Sequence, residues 1–516
     1  MAQHGTINNK DPSDPSTTSL AWDEMIGSWV MIETLLGGTK AMRFAAGEYL
    51  PQHAEESDDN YNERLHVNVL FNAMEITLDH FVGRPFSDPV KLNNDVPEDM
   101  VEQATNIDLQ GNDITTFCRD WFRCGLAKGM CHVMVDMPQM NPDAMPLTLA
   151  DDRADGRRPF WIRIEPENMI FAEAEIVIDP QTKELREWFT HVRLRENVIE
   201  RVGFAEVIHE RIRVLMPGFF QVWQLVKQKG KKEKWIIIEQ GETGINFIPI
   251  ITFYSQRNSF LMSKPPLEDL AFMNIRHWQS MSDQINVLTV ARFPMLAVAG
   301  ATDQSGTTMR IGPRQLLATK DPNGRFYYVE HTGKSIESGW RELESLEKAM
   351  EAYGSTFLKK MPGNETATGR ALDSAESITP LQDMINRFID SVNNALRIHA
   401  TWLNQAEGGT VTILNDFGPE DADKFGLDFL KSLRADKDIS RKAVVKEAKR
   451  LGVLSDDYDL EEDFIQLQLE DKELKPLQPQ VPGTFDPTAP DGAPGAKAPN
   501  ATPPDKSGTP RDMEDT

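Results

Sequence analysis

Few residues in this 516-residue chain stand at spacings that chemistry would use. Gly333-Lys334-Ser335 matches the end of a phosphate-cradling loop, in which backbone N–H groups and a lysine hold nucleotide phosphates. That loop needs a glycine five residues before Gly333, and Tyr328 stands there, so the match fails. His209-Glu210 opens the zinc motif HExxH, but position 213 is Arg213, so the second imidazole is missing. Cys118, Cys124 and Cys131 are the only cysteines. Their spacing gives neither a zinc site nor a CxxC redox pair, and an odd count points to buried thiols in a reducing compartment. Asp456, Asp457, Asp459, Glu461, Glu462 and Asp463 read as a solvated acidic face. No Gly-x-Ser-x-Gly elbow and no paired nucleophile and base stand out. His80 and His399 fall on helical patterns as packing or surface residues. The expectation is a protein with no catalytic residue, no metal and no cofactor; it is not an enzyme.

One cationic pair remains. Lys359-Lys360 closes a predicted helix, where cations complement the helix dipole, and that role suffices for them. They also precede a small polar loop, Met361-Pro362-Gly363-Asn364-Glu365-Thr366-Ala367, which joins two helices and could point into a lumen.

The elements around that loop are long. Pro265-Pro266 opens a helix in which Leu267, Leu270, Ala271, Asn274, Trp278, Met281, Ile285 and Leu288 recur at helical spacing until Pro294. A second helix starts near Ser338 and carries Trp340, Leu343, Leu346, Met350, Tyr353 and Phe357 on one face. A third spans roughly 368–404 with a bend expected at Pro380, because an internal proline removes one hydrogen bond. Between the first two helices, Met295 to Val298, Gln315 to Ala318 and Phe326 to Val329 read as short strands.

Upstream, helices are expected over 21–49, 60–81 and 112–127, followed by a strand over 131–135. From Pro159 to Tyr254 the period drops to two. Strands at 160–164, 190–194, 207–215, 219–226 and 235–238 then suggest one antiparallel sheet with a wet face. After Asn404 come a short strand at 411–414 and two or three small helices to about Leu469. The proline-rich tail beyond Pro476 cannot build a core. The fold class is α+β.

Hydrophobic residues at 40% and charged residues at 26% fit a soluble globular chain of two to four domains. No stretch suits a membrane span, and the first twenty residues lack the blocks of a signal peptide, so cytoplasmic synthesis is expected. Asn364-Glu365-Thr366 is then an empty glycosylation match. The net charge of −25 opposes tight binding to phosphates; it serves solubility, or a surface that touches DNA without sticking to it.

The order of these elements, with several local strings, resembles the portal proteins of tailed bacteriophages, in the podophage- and siphophage-type branch. The strings are Tyr49-Leu50-Pro51-Gln52-His53 with Glu56, Tyr61, Arg64-Leu65 and Phe81-Val82-Gly83-Arg84-Pro85-Phe86. Gly129 with the strand to Val135-Asp136, Arg158-Pro159-Phe160-Trp161 and Pro166-Glu167-Asn168 continue the pattern. Leu267 to Asp283 is similar to the helix entering the family's stem, and Glu365-Thr366-Ala367 with Arg370 and Ser374 to the start of its long helix. Asp438-Ile439-Ser440 leading to Gly452-Val453-Leu454 resembles its C-terminal part.

The resemblance implies an N-terminal arm (1–19), a wing (20–262), a first stem helix (263–292), a clip (293–337) and a second stem helix (338–358). A tunnel loop (359–368), a long kinked helix (369–414), a helical crown (415–470) and a tail (471–516) follow. It implies a homo-oligomeric ring, usually of twelve, at one capsid vertex of the virion, assembled in host cytoplasm. That ring would pass double-stranded DNA during packaging and ejection. It would also dock the terminase large subunit and a head-tail adaptor, and meet the major capsid and scaffolding proteins, with no membrane involved. Twelve copies at −25 would carry about −300, a wall along which a duplex could slide. DNA-channel residues are expected at Lys359, Lys360, Pro362, Gly363, Asn364, Glu365 and Thr366. The clip surface is expected at Arg310, Arg314, Phe326, Tyr327 and Tyr328, whose aromatics equally suit a strand core. Another virion component (tail or scaffold) or a terminase large subunit are the competing readings; the latter needs the phosphate loop that fails here.

Overall fold

A computed structural model describes residues 13–138, 157–178, 185–226, 233–292, 295–299, 323–329, 334–356 and 379–415, with short pieces between 434 and 466. The chain divides into two compact units, Met1–Phe417 and Gly418–Thr516. In the second, the described residues include one helix, Arg441–Arg450.

The first unit opens with helices α1 (Leu20–Leu36) and α2 (Gly38–Ala45). Ser19 caps α1 by accepting from the Trp22 amide. One helix over 21–49 was expected; Gly38, at φ 67°, breaks it. The helix expected over 60–81 is likewise two, α3 (Asp58–Val67) and α4 (Ala73–Gly83), each with its own side-chain cap from Ser57 and Asn72. Strand β1 (Lys91–Leu92) and helix α5 (Glu98–Gln103) follow. Helix α6 (Ile114–Lys128) then ends at Gly129, whose φ of 87° turns the chain directly into β2 (Met130–Asp136).

Strand β2 is central in a three-stranded antiparallel sheet between β3 (Phe160–Ile164) and β9 (Ile250–Tyr254), and all but its last residue are buried. Its neighbours are α6 and α9 (Pro380–Trp402). Phe388 of α9 meets Trp121 and Phe122 of α6 at ring distances of 5.1 Å and Phe253 of β9 at 5.0 Å, which centres the main core.

Strands β4 (Met169–Ile178), β5 (Leu185–Val202), β6 (Ala205–Met216), β7 (Phe219–Val226) and β8 (Lys234–Glu242) form a second sheet in chain order, antiparallel throughout. The region therefore holds two sheets where one was expected, because β3 pairs with β2. Nor is one face uniformly wet. Val192, Leu194 and Leu215 pack with Met25 and Trp29, while Ile170, Ile212 and Val214 bury a second cluster with Trp22 and Trp223. The sheet is open on both faces at the end where Ile199 pairs with Ile208 and Phe204 is fully exposed, and also at Ile176 to Ile178 of β4 and Ile236 to Ile238 of β8.

Two short strands, β10 (Arg257–Ser259) and β11 (Met262–Ser263), lead to α7 (Glu268–Ala291). Strands β12 (Met295–Ala299) and β13 (Arg325–Val329) pair, and α8 (Lys334–Thr356) returns. Strand β14 (Val411–Thr412) closes the unit against β1. The class is α+β, and among the described residues no helix is long and apolar enough to cross a membrane.

Candidate functional site: a two-helix arm and its hairpin

Helices α7 and α8 run antiparallel. The Tyr353 hydroxyl donates to the Pro266 carbonyl at 3.2 Å, and Arg276 Nη2 donates to Glu342 Oε1 at 2.9 Å. His277 Nε2 meets Glu347 Oε1 at 3.2 Å, and Gln284 Nε2 donates to the Ile336 carbonyl at 2.9 Å. Hairpin β12–β13 continues the same pairing order, from Met295 opposite Val329 to Ala299 opposite Arg325. At 1.5 Å per residue each helix is about 35 Å long. A Cβ on Gly339 would collide with the Gln284 carboxamide, so the helices approach closely there.

The root of the arm is pinned by polar side chains. Asn274 accepts from the Met74 amide and donates to the Phe71 carbonyl, at 3.0 and 2.8 Å. Asn68 donates to the Trp278 carbonyl at 2.9 Å. Arg64, with its side chain only 3% exposed, forms a two-pronged pair with Glu56 at 2.9 and 2.8 Å and donates to the Pro51 carbonyl at 3.0 Å. Its remaining amino group reaches Ser282 Oγ at 3.3 Å and Asp283 at 3.5 Å. The Arg64 hydrogen bond holds the Glu56 carboxyl below its usual range, against burial, which raises it.

Away from the root, α8 is thinly covered. From Ile336 onward its fully buried positions are Leu343, Met350 and Gly354, whereas Glu337, Glu342, Glu344 and Glu351 are exposed and Trp340 is 43% exposed.

Of the residues singled out in the sequence, Lys359, Lys360, Pro362, Gly363, Asn364, Glu365, Thr366, Arg310 and Arg314 lie outside the described residues. Phe326, Tyr327 and Tyr328 fall on β13, opposite Val298, Ala297 and Leu296, and Tyr327 is 51% exposed. Pro380 does not bend a helix. It is the first residue of α9, after an extended Thr379 (ψ 154°) that accepts from the Gln382 amide while Gln382 bonds back. A proline costs nothing at that position, since its missing N–H has no helical partner there.

The near-motifs resolve into packing. His209 and Glu210 are adjacent on β6; His209 faces Glu200 at 3.1 Å and Glu210 faces Arg195 at 3.9 Å. All three cysteines are buried, and burial pushes the Cys118 and Cys124 thiols up. His399 is fully buried and bonded to Trp161 and Gln103. Among the described residues no cluster of His, Cys, Asp and Glu suits a metal ion. Lys128 escaped sequence reasoning: its side chain, 4% exposed, meets Glu33, Glu165 and Glu167 at 3.0, 3.0 and 2.6 Å.

A family model described as a domain of unknown function (DUF4055) matches residues 266–403, the stretch from the start of the arm to the end of α9. No curated protein matches the chain. Among solved structures, a chain from the neck of an empty GTA particle computed with C6 symmetry is 11% identical, with TM-score 0.36, covering 74% of this chain and 89% of its own. One from the neck of a native GTA particle computed with C12 symmetry is 12% identical, with TM-score 0.37 and the same coverages of 74% and 89%. A third, from the virion of a native gene transfer agent (GTA) particle, is 12% identical with TM-score 0.34, covering 82% and 97%. At such TM-scores the likeness does not establish a common fold.

Proposed function

We propose that this chain is a portal protein: a subunit of a ring, of twelve copies, at one vertex of a phage capsid. The ring passes double-stranded DNA inward and outward, docks terminase and tail adaptor, and performs no catalysis of its own. The observation that carries the reading is the arm. Two long helices, tied to the main core by Arg64, Asn68 and Asn274, bear a strand hairpin between their far ends. Helix α8 buries one narrow stripe and leaves Trp340, Glu344 and Glu351 exposed in a single chain. A helix of that pattern gains a full apolar contact only against a neighbour, and a ring supplies one by repeating two different faces around an axis. The exposed glutamates of α8 suit a wall that a duplex passes without adhering. The β-rich part of the first unit separates the chain from an extended helical scaffold.

Sedimentation of the full-length chain tests this reading. A single large homo-oligomer, from which a Trp340→Glu variant dissociates while keeping its circular-dichroism spectrum, supports it. A chain that stays monomeric at every concentration, with and without its scaffolding protein, opposes it.

A further inference from the structure

Strand β5 joins two unfinished features, one at each of its ends. The far end is half of a bare hairpin. Strand β4 pairs with β5 only as far as Leu194, and β7 pairs with β6 only from Arg211 onward. Among the described residues, 197–202 and 205–210 therefore pair only with each other. A two-stranded ribbon is marginal by itself in water, yet this one shows Ile199, Val202, Val207 and Ile208 to solvent. Its turn is two residues, Gly203-Phe204, between the paired Val202 and Ala205. Gly203 supplies the positive φ, 66°, that suits the first position of such a turn, and Phe204 stands at the apex, fully exposed.

The start of β5 lines a cavity of about 210 Å³, together with the segment entering β9 and the C-terminal half of α9. Trp188, Phe247, Ile248, Ile250 and Ile398 make its walls mainly apolar, and the first two pack edge to face with ring centres 4.8 Å apart. The indole nitrogen of Trp188 is buried and has no hydrogen-bond partner among the described residues. We propose that the Phe204 ring of one copy of this chain fills the cavity of the next copy. Size supports this occupant: a dry cavity of about 150 Å³ holds benzene, so one phenyl group suits the space. Chemistry supports it too, because an aromatic face is an apolar surface that accepts from an N–H such as that of Trp188. Reach excludes the chain's own tip. At about 3.3 Å per residue, Trp188 and Val202 stand about 45 Å apart along one strand. A knob and a hole so separated meet only between copies, head to tail. Such a contact is heterologous and closes into a ring when the rotation allows. The inference rests on the ring reading, for which it names one contact.

The test is photo-crosslinking of the full-length chain with p-azidophenylalanine in place of Phe204, beside sedimentation of the same sample. An equal mixture of isotope-labelled and unlabelled chains identifies a bond between copies. The expected adduct joins position 204 of one copy to 186–189, 247–251 or 397–401 of another. Products should form a ladder beyond the dimer, since each copy gives one tip and receives one. Thr401→Trp, which fills the cavity from α9, should abolish this adduct with the melting temperature retained. Phe204→Ala removes a side chain that is fully exposed in the single chain, so folding is kept. It should raise the concentration at half-association about tenfold or more, as loss of an aromatic anchor does. Rings without an adduct between copies, or an adduct to other segments, would overturn this contact and leave the ring reading standing. So would an adduct undiminished by Thr401→Trp, or a product that stops at dimers. A ladder in a sample without rings would keep the contact and remove the ring reading. Monomers that give no adduct would overturn both.

Discussion

Trp161 on β3 donates its indole N–H to Nδ1 of His399 on α9 at 3.2 Å, across 238 positions of sequence. This fixes the tautomer: the proton sits on Nε2, which faces Gln103 Oε1 at 2.8 Å, so the buried imidazole is neutral and both nitrogens are satisfied. Three elements, α5, β3 and α9, are thereby tied at one ring.

Burial, helped by the charge of Arg158, brings His399 down to about 3, and burial brings His132 on β2 down to about 3 as well. Unfolded histidine takes its proton near pH 6.5. Between those values the unfolded chain binds more protons than the folded one, so stability falls as pH drops from about 6.5 toward 3. Urea midpoints across that window should decline, at up to about 1.4 kcal/mol per pH unit for each histidine. His399→Phe should be less stable near neutrality, having orphaned Trp161 and Gln103, yet show a shallower pH slope. An unchanged slope would mean that His399 does not titrate on unfolding.

Arg64→Ala leaves the Glu56 carboxylate, 8% exposed, without its cation and frees the Pro51 carbonyl. Breaking a buried pair costs about 3–5 kcal/mol. Arg64→Lys should recover only part of this, because an ammonium cannot reproduce the two-pronged contact. Chemical denaturation of the two variants checks the order. Since Glu56 is held below its usual range, the pair stabilises above the ordinary carboxylate pKa and fades as pH falls through the lowered value.

Gly339→Leu should separate α7 from α8, at a cost of about 1–3 kcal/mol for overpacking. Gly339→Ala should be nearly neutral. Gln284 can swing its carboxamide away at the loss of one hydrogen bond, about 1 kcal/mol, and the gain in helix propensity is similar. Thermal melts of both variants measure this, and a Leu variant as stable as the parent would refute the close approach.

Lys359 and Lys360 are proposed to make a local, reversible contact with DNA. Replacing both with alanine should change the DNA content or retention of assembled heads while leaving the oligomer intact. Heads indistinguishable from wild type in both respects would remove these lysines from the channel.

Much of the arm was legible. Leu267, Leu270, Ala271 and Trp278 recur at helical spacing and are buried as that spacing requires. The strand runs 219–226 and 235–238 lie within β7 and β8. Pro380 was misread although its signal was local: Thr379, Pro380 and Gln382 spell a cap, a first-turn proline and a reciprocal partner. The break in 60–81 had a fainter trace in Asn72 and Glu75, which bond to each other. Its other determinant, the bond from Asn68 to the Trp278 carbonyl, is tertiary and leaves no local pattern. Strand β4 went unread because Glu173 and Glu175 interrupt its apolar residues, although Pro166 and Asn168 before it and Asp179-Pro180 after it are turn signals. Lys128, the Arg64–Glu56 pair and the Trp161–His399 contact join distant segments, and periodicity carries no information about such partners.

The central claim is that copies of this chain close into a ring around a channel. Electron microscopy of the purified full-length protein, alone and co-expressed with its capsid and scaffolding proteins, tests it most directly. The account predicts rings with a central channel and about twelvefold symmetry in at least one preparation. Particles without a ring in both preparations would contradict it.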